Sequence, residues 1–472
     1  MANIETELYS VSSSITNYLS KELGYDVPVS AMTTYINQWN QMYRCVGNFW
    51  SWQEPDGSGK IRNVERLSVK PAKRVCKEMA SLIMDGDMRI TVEDEATNEW
   101  LQNFLSEKGF IANGQELIQR SCALGTGAWV LWLNAENCNM QIRRMFGTMV
   151  IPLSWDEDGI TECAFATRAQ VAGKALDQLQ IHRIADGGNY VIDTVFFDIE
   201  SKQRVEVEGV EPEFDTQGSV PWFAVFTPSG DNDVVEFSPY GRSIFADSID
   251  ILKAVDIAWD AEFREVKTGK RLMFVSDGMM QVGVDKDGKP VYKALTSEES
   301  GIYRMVGAMD DMVKDFAPSL RVDGFSTAYK DALSQMGDSM GFGADYFVPD
   351  RASGMKTAKE VASVQSQLMR NIAKHEEKAG KAIRQIITAV LHCASVFTDN
   401  GVNADVEVTV QFDDSIIEDT DTEKANDQAE VTLGLLPKYQ YLMKWHGLDE
   451  ETAREWVAEG VSTFEAMPTF ED

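Results

Sequence analysis

The chain has 472 residues, and its 75 acidic and 44 basic side chains give it a formal charge of −31. Apolar residues make up 44 % and charged residues 25 % of the chain, a composition that is typical of globular proteins and excludes the disordered and collagen-like classes. The negative charge disfavours a protein that holds nucleic acid on a broad basic face, although many proteins are acidic only to stay dispersed.

The first 80 residues have helical patterns. Apolar positions at helical spacing predict helices over residues 4–23, 30–43 and 64–84, and the turn-rich stretch 55–59 separates the second from the third. Residues 60–78 contain seven basic side chains against two acidic ones. This basic patch is interpreted as a solvated helix face, or as a surface that meets an acidic neighbour, rather than as a phosphate-binding site.

Between residues 128 and 226 the pattern changes to that of β-strands. Short apolar runs between turn signals predict strands over residues 128–133, 149–153, 191–197 and 222–226. No run approaches the roughly 20 apolar residues that span a bilayer, and no basic region of a secretory signal is visible at the N-terminus. We therefore expect no membrane segment, and a site of action in a cytoplasm or in a particle assembled there.

Two predicted helices, over residues 243–266 and 324–340, flank a β-like stretch that contains six methionines, residues 271–320. Four aspartates of the first helix stand at i, i+3 and i, i+4 spacings and predict an acidic side: Asp247, Asp250, Asp256 and Asp260. After the second helix, glycines and a proline interrupt the pattern between residues 341 and 354.

The longest predicted helix covers residues 357–397. Thr357 and Glu360 form a capping box at its start, and a helix of this length measures roughly 60 Å. Because few single cores are that wide, we expect it to bridge two parts of an elongated subunit. A strand over residues 406–412, an acidic segment and two short helices complete the predicted order.

No catalytic or metal-binding pattern stands out. The six cysteines are scattered singly, the four histidines are expected to be structural or solvated, and no phosphate-binding glycine loop followed by Lys and Ser or Thr occurs. Residues 337–341 match the G-x-S-x-G pattern of serine hydrolases, but a predicted helix rather than a strand precedes Ser339. The sequence therefore predicts no enzyme and no cofactor, with a hydrolase that uses Ser339 as a distant alternative.

The order of these elements resembles that of the tailed-bacteriophage portal protein family, of the type found in long non-contractile-tailed phages of Gram-positive hosts. The segments that carry the resemblance are residues 70–80 (KPAKRVCKEMA), 124–128 (LGTGA), 238–243 (SPYGRS), 357–361 (TAKEV) and 412–416 (FDDSI). The resemblance covers about residues 30 to 460. It implies an α+β subunit in which a wing, two stem helices, a clip, a long bridging helix and a helical crown follow one another.

The resemblance also implies boundaries for these parts. The wing would comprise residues 1–242, with a helical part before a β-rich part, and would be completed by the long helix and a strand in 357–420. The remaining parts would be the first stem helix (243–270), the clip (271–320), the second stem helix (321–340), the tunnel loop (341–356) and the crown (421–472).

The implied function is a ring, commonly of twelve subunits, at a unique capsid vertex of the virion, assembled in the host cytoplasm. Double-stranded DNA would pass through its axial channel without sequence-specific binding, during packaging and ejection. The implied partners are the terminase large subunit, the head–tail connector or adaptor, and the capsid and scaffolding proteins. A capsid-vertex or connector protein without a DNA channel is the alternative.

Three groups of residues are the candidate sites under this resemblance. The acidic side of the first stem helix, defined above, would face the DNA. The tunnel loop would place charged and aromatic residues at the channel constriction: Phe342, Asp345, Tyr346, Asp350, Arg351 and Lys356. Of these, the charges of Asp345, Asp350 and Arg351 would tune DNA retention. The clip would dock partners through Met279, Met280, Asp285 and Asp287.

Overall fold

A computed structural model describes residues 11–55, 59–134, 138–171, 173–269, 272–276, 282–284, 286–292, 302–305, 313–317, 319–349, 358–398, 400–412, 420–446 and 448–465. The chain forms two compact units, residues 1–411 and 412–472. The mixed α+β class expected from the sequence is confirmed. Among the described residues, no helix is long and apolar enough to cross a membrane.

The N-terminal part combines helices with a β-hairpin. Its elements are α1 (Ser13–Asn17), a π-helical turn (Tyr18–Glu22), α2 (Val29–Arg44), β1 (Ser51–Pro55), β2 (Ile61–Glu65) and α3 (Pro71–Ile83). The predicted helix over 64–84 is wrong at its start, because Val64 lies in β2 and pairs with Trp52 of β1. The helix begins only at Pro71, where the fixed φ of proline suits a first helical position.

A strand and two helices lead into the β-rich part: β3 (Arg89–Val92), α4 (Glu95–Glu107) and α5 (Phe110–Leu124). The Asp94 side chain caps α4 by accepting a hydrogen bond from the Thr97 amide at 2.8 Å. On α5 the residues Leu117, Ile118 and Cys122 are fully buried, so this helix is part of the core of the first unit.

Nine strands form the β-rich part: β4 (Gly127–Asn134), β5 (Asn139–Phe146), β6 (Val150–Asp156), β7 (Gly159–Val171), β8 (Lys174–Ile184), β9 (Tyr190–Asp198), β10 (Arg204–Val205), β11 (Glu213–Asp215) and β12 (Phe223–Phe226). One sheet has the strand order β10-β9-β8-β7-β6, with β11 also paired to β9, and a second has the order β12-β4-β5. The four predicted strands correspond to β4, β6, β9 and β12.

The two sheets share one apolar core. Val130 of β4, Phe165 of β7 and Phe223 of β12 belong to the same buried cluster, and the rings of Phe165 and Phe223 lie 5.6 Å apart. The Tyr240 hydroxyl donates a 2.7 Å hydrogen bond to the carbonyl of Val150 in this core. The chain segment that leaves the β-rich part is therefore fixed to it.

The next helices are α6 (Ile249–Thr268) and α7 (Val322–Ser339), with five short strands between them: β13 (Leu272–Ser276), β14 (Val282–Val284), β15 (Pro290–Tyr292), β16 (Ile302–Met305) and β17 (Val313–Phe316). The helices are antiparallel, since Ser248 meets Ser339 at 3.3 Å and Glu265 meets Arg321 at 2.8 Å. Strand β13 pairs in parallel with β16 and antiparallel with β17.

Helix α8 (Ala358–Phe397) has 40 residues, as the sequence predicts, and a length of roughly 60 Å. Between residues 379 and 394 most of its apolar side chains are fully buried, among them Ile383, Ile387 and Val390. Strand β18 (Val408–Gln411) pairs antiparallel with β3. The second unit contains α9 (Thr420–Leu433), α10 (Lys438–His446) and α11 (Glu450–Glu465), one helix more than the sequence predicted for the tail, because the acidic segment is helical from Thr420.

Three histidines of the first unit are kept neutral by their surroundings. His182 lies between the rings of Phe165 and Phe223, at 5.3 and 5.4 Å, and burial lowers its pKa to about 3. His375 accepts a 3.0 Å hydrogen bond at Nδ1 from the Ser229 amide, and burial lowers its pKa to about 4. Burial also lowers the pKa of His392, which accepts from the Trp222 indole at 3.5 Å.

We expect the protein to lose stability as the pH falls below about 6.5, the pKa of an unfolded histidine. Between that value and the lower folded pKa the unfolded state binds more protons, so each fully buried histidine contributes a loss of up to about 1.4 kcal/mol per pH unit. Thermal unfolding between pH 7 and 5 measures the effect. The variant His182→Phe should have a shallower pH dependence, whereas His446→Gln, which changes an exposed histidine, should keep the wild-type slope. Equal slopes for all three proteins would contradict this assignment.

Candidate functional site

The paired helices α6 and α7 are held to the N-terminal part by a buried carboxylate. Asp256 of α6 is fully buried, and its Oδ2 accepts hydrogen bonds of 2.8 Å from the Trp50 indole and from the Ser68 hydroxyl. Its Oδ1 accepts a 3.1 Å bond from the Val69 amide. Burial raises the pKa of Asp256, while these three donors oppose the shift.

One helical turn further on, Asp260 makes a second attachment. Its Oδ1 accepts a 3.0 Å hydrogen bond from the Leu67 amide, and its Oδ2 pairs with Arg264 Nε at 2.6 Å. Arg66, in the same segment, lies 3.9 Å above the Phe49 ring and donates a 2.6 Å bond to the Phe49 carbonyl. Trp50 and residues 67–69 are thus held along one side of α6.

The expectation of a single exposed acidic side on this helix is wrong for half of its members. Asp256 and Asp260 turn inward because the backbone amides and the indole of the N-terminal segment satisfy them. Asp247 and Asp250 are exposed, with side chains 79 % and 97 % accessible. Of the four predicted aspartates, only these two can present charge to a passing molecule.

The exposed pair is partly neutralised by neighbouring cations. Arg242 bridges Asp233 and Asp247 by ion pairs, and Lys253 lies 3.4 Å from Asp250. Sequence reasoning missed Arg242, although this arginine lies within one of the segments that carry the family resemblance. It joins the start of α6 to the loop of residues 229–239.

The described chain after α7 packs closely, although glycines and a proline interrupt the sequence pattern there. Phe342, Phe347 and Val348 are buried, and the rings of Phe342 and Phe347 lie 5.1 Å apart. Gly337 approaches Gly343 so closely that a Cβ at Gly337 would overlap the Gly343 carbonyl. Within the described part of this loop, residues 341–349, glycine therefore permits a close approach of two backbones.

The same loop is tied to α3. The Tyr346 hydroxyl donates a 2.8 Å hydrogen bond to Glu78, and burial together with this carboxylate raises the Tyr346 pKa. The Arg74 guanidinium lies 5.1 Å from the Phe347 ring. Asp345 is half-buried in this cluster. Of the predicted loop residues, the structure therefore brings Phe342, Asp345 and Tyr346 together beside α3.

Several other predicted site residues lie outside the described part of the chain: Asp350, Arg351, Lys356, Met279, Met280 and Asp285. Asp287 is described and is exposed in the turn between β14 and β15. The roles expected for the residues outside the described part of the tunnel loop and the clip therefore remain predictions.

The serine of the G-x-S-x-G pattern makes two hydrogen-bond contacts among the described residues. Ser339 ends α7, and its hydroxyl donates a 3.2 Å hydrogen bond to the Met336 carbonyl and meets the Ser248 hydroxyl at 3.3 Å. Neither contact supplies a general base. Across the described residues, no group of three or more His, Cys, Asp or Glu side chains is placed to hold a metal ion.

Two of the segments behind the family resemblance meet at the base of α6. The Gly241 amide donates a 3.2 Å hydrogen bond to the Thr126 hydroxyl, and the Ile244 amide donates a 3.0 Å bond to the Cys122 carbonyl. A Cβ at Gly125 would overlap the Gly241 carbonyl. Both glycines are needed for this contact, which fixes the β-rich part to the helix pair.

The family model described as "Phage portal protein, SPP1 Gp6-like" matches residues 50–462. Among solved structures, a chain from the neck of a native gene transfer agent particle with C12 symmetry is 10 % identical, with 79 % of this chain and 89 % of that chain covered and a TM-score of 0.38. A chain from the virion of the native particle is 10 % identical, covers 89 % and 99 % of the two chains, and has a TM-score of 0.38. No curated protein matches the chain.

Replacing Asp256 with alanine should destabilise the first unit by about 2–4 kcal/mol, because the Trp50 indole and the Val69 amide would lose their acceptor while buried. Chemical denaturation followed by tryptophan fluorescence measures the free energy of unfolding. The matched control is Asp250→Ala on the exposed side of the same helix, for which a change within about 0.5 kcal/mol is expected. Similar losses in both variants would show that Asp256 does not act as an anchor.

Proposed function

The chain belongs to the phage portal protein family, and we propose that its subunits form a ring at one vertex of a capsid through which double-stranded DNA enters and leaves. The match of the family model to residues 50–462 is the observation that carries this proposal. Portal proteins are structural components of phage particles, so a virion location and a structural role follow from the family. The ring, the DNA channel and the docking partners are the proposed parts.

The negative charge of the chain supports a channel through which DNA passes rather than a surface that binds DNA. Each phosphate neutralised by a fixed cation releases counterions and adds affinity, so a wall rich in Lys and Arg would hold a moving duplex. A formal charge of −31 per subunit would instead repel the backbone from all sides and keep it near the axis. Asp247, in the turn before α6, and Asp250, in the first turn of α6, are exposed carboxylates that could contribute to such a wall.

The hydrogen bonds that hold α6 to residues 67–69 support a channel wall of fixed shape. A duplex moving through a ring exerts lateral force on the channel helices, and a helix held only by apolar contacts can slide. Asp256 and Asp260 tie α6 to three backbone or side-chain donors of residues 67–69. Because these bonds are directional and buried, they fix both the rotation and the position of the helix along its axis.

The remaining parts take their roles from the family. The strands β13 to β17 would form the clip, where the terminase large subunit and later the head–tail connector dock, and the described loop 341–349 would lie near the constriction. Capsid and scaffolding proteins would contact the ring during assembly in the host cytoplasm. The force for packaging would come from the separate terminase ATPase.

Electron microscopy of the purified full chain tests the ring. Negatively stained particles should be rings with an axial hole, and native mass spectrometry should give a single high-order oligomer. Solid particles of similar mass would favour a capsid-vertex or connector protein without a channel. A protein that remains monomeric at all concentrations, and also with its capsid and scaffolding partners present, would contradict the proposal.

The variant Asp250→Lys should give a ring that binds duplex DNA weakly. Each ring would gain a circle of cations, so retention of duplex DNA should rise at low salt and decrease steeply as salt is added. Electrophoretic mobility shifts at several salt concentrations measure this retention. Asp186→Lys, in the exposed turn between β8 and β9, carries the same charge change and should leave it unaltered. Equal retention of DNA by both variants would show that Asp250 does not line the channel wall.

A further inference from the structure

Helix α3 carries a row of exposed cations along one side. Lys70 at the N-cap and three residues of the first two turns share spacings of i, i+3, i+4 and i+7, which places them on one face: Lys70, Lys73, Arg74 and Lys77, here termed the basic stripe. The opposite face is buried through Val75, Cys76 and Met79. The stripe is therefore the side of α3 that the subunit leaves open.

Two electrostatic effects within the helix disfavour four cations at these positions. Like charges at i, i+3 and i, i+4 repel one another, and cations are unfavourable at a helix N-terminus, where the macrodipole is positive. The first turn of α3 contains no acidic residue. Throughout the described part of the chain, no carboxylate forms an ion pair with any of the four, and Glu78 accepts from Tyr346 instead. Within the described residues, the charge of the stripe is therefore left to solvent and to anions from outside the subunit.

The stripe is held in a fixed position. Asp256 binds the Val69 amide and the Ser68 hydroxyl immediately before it, and Lys70 itself has a left-handed backbone with φ of +53°. At the other side Arg74 is placed over the Phe347 ring. Binding at the stripe would thus require little further ordering of the helix, which favours docking.

A matching surface lies on the loop of residues 229–239, here termed the acidic loop. It exposes the carboxylates of Asp231, Asp233 and Glu236 around Phe237, whose side chain is 93 % accessible. Phe237 has a φ of +58°, a conformation that non-glycine residues adopt only when their surroundings enforce it. The enforcing contacts include the 2.8 Å hydrogen bond from Asn232 to the Tyr240 carbonyl.

We propose that the basic stripe of one subunit docks on the acidic loop of a second copy. This inference rests on the proposed ring, in which each subunit uses two different surfaces, head to tail. The exposed Phe237 ring would lie against Lys and Arg side chains, as in cation–π contacts, and aromatic anchors of this kind dominate interface energies. Within one subunit no described ion pair joins the loop to the stripe, and although Asp233 pairs with Arg242, the carboxylates of Asp231 and Glu236 are exposed.

The contact would also solve an assembly problem. Copies with a formal charge of −31 repel one another, and a ring brings many of them together. Pairing the main cluster of cations of one copy with carboxylates of the next removes part of this repulsion where the subunits touch. It also removes those cations from the channel, which agrees with a wall that does not hold DNA.

Charge reversal tests the docking, with oligomers of the full chain followed by native mass spectrometry. Lys73→Glu with Lys77→Glu, and separately Asp231→Lys with Glu236→Lys, should each raise the protein concentration needed for rings by at least about tenfold. A mixture of the two variants should assemble, since the reversed stripe fits the reversed loop and the two unaltered surfaces fit each other. The chain that carries all four changes should also form rings.

Controls separate docking from folding and from net charge. Lys21→Glu with Lys174→Glu makes the same charge change as the stripe reversal on exposed residues elsewhere and should leave assembly unaltered. All variants should retain the wild-type melting temperature. Phe237→Ala should weaken assembly without altering charge.

The following outcomes would overturn the proposal. If the wild type forms rings and both reversal variants form them at the same protein concentration, or if the mixture of the two variants does not assemble, the docking is refuted while the ring proposal stays intact. Stripe reversal that leaves rings unchanged but lowers their affinity for duplex DNA would assign the stripe to phosphate binding instead. Absence of rings from the wild type, with its partners present, would refute the ring and the docking together.

Discussion

The buried carboxylate of Asp256 is the contact on which the placement of the helix pair depends. A charge removed from water is tolerated only when donors surround it, and here the donors come from residues 187 to 206 positions earlier in the chain. The bonds are specific in direction, so α6 can pack in one register only. Since α7 pairs with α6 and the loop 341–349 follows α7, an error in this register would displace the loop as well.

Charge is segregated in this protein rather than merely negative. Four exposed cations line one side of α3, while three exposed carboxylates lie on the acidic loop. A surface of mixed charges would give weak contacts with any partner, whereas separated patches orient an approaching copy.

The segments that carry the family resemblance have a structural explanation. Gly125 and Gly241 allow two backbones to touch, and Tyr240 is bonded to the β-rich core. Residues 70–80 form α3, whose buried side packs in the core of the first unit and whose open side is the basic stripe. The order and spacing of these segments reflect the contacts that hold parts of the fold together.

The sequence by itself determined the α+β class, the family, the 40-residue helix and the strands with continuous apolar runs, because apolar periodicity is a local property of the chain. It missed the long β7–β8 hairpin, where the buried face includes Gln178, Gln180 and His182. It also placed Asp256 on an exposed side. Only the tertiary structure decided these points, since whether a polar side chain is buried depends on the donors and rings that distant segments bring to it.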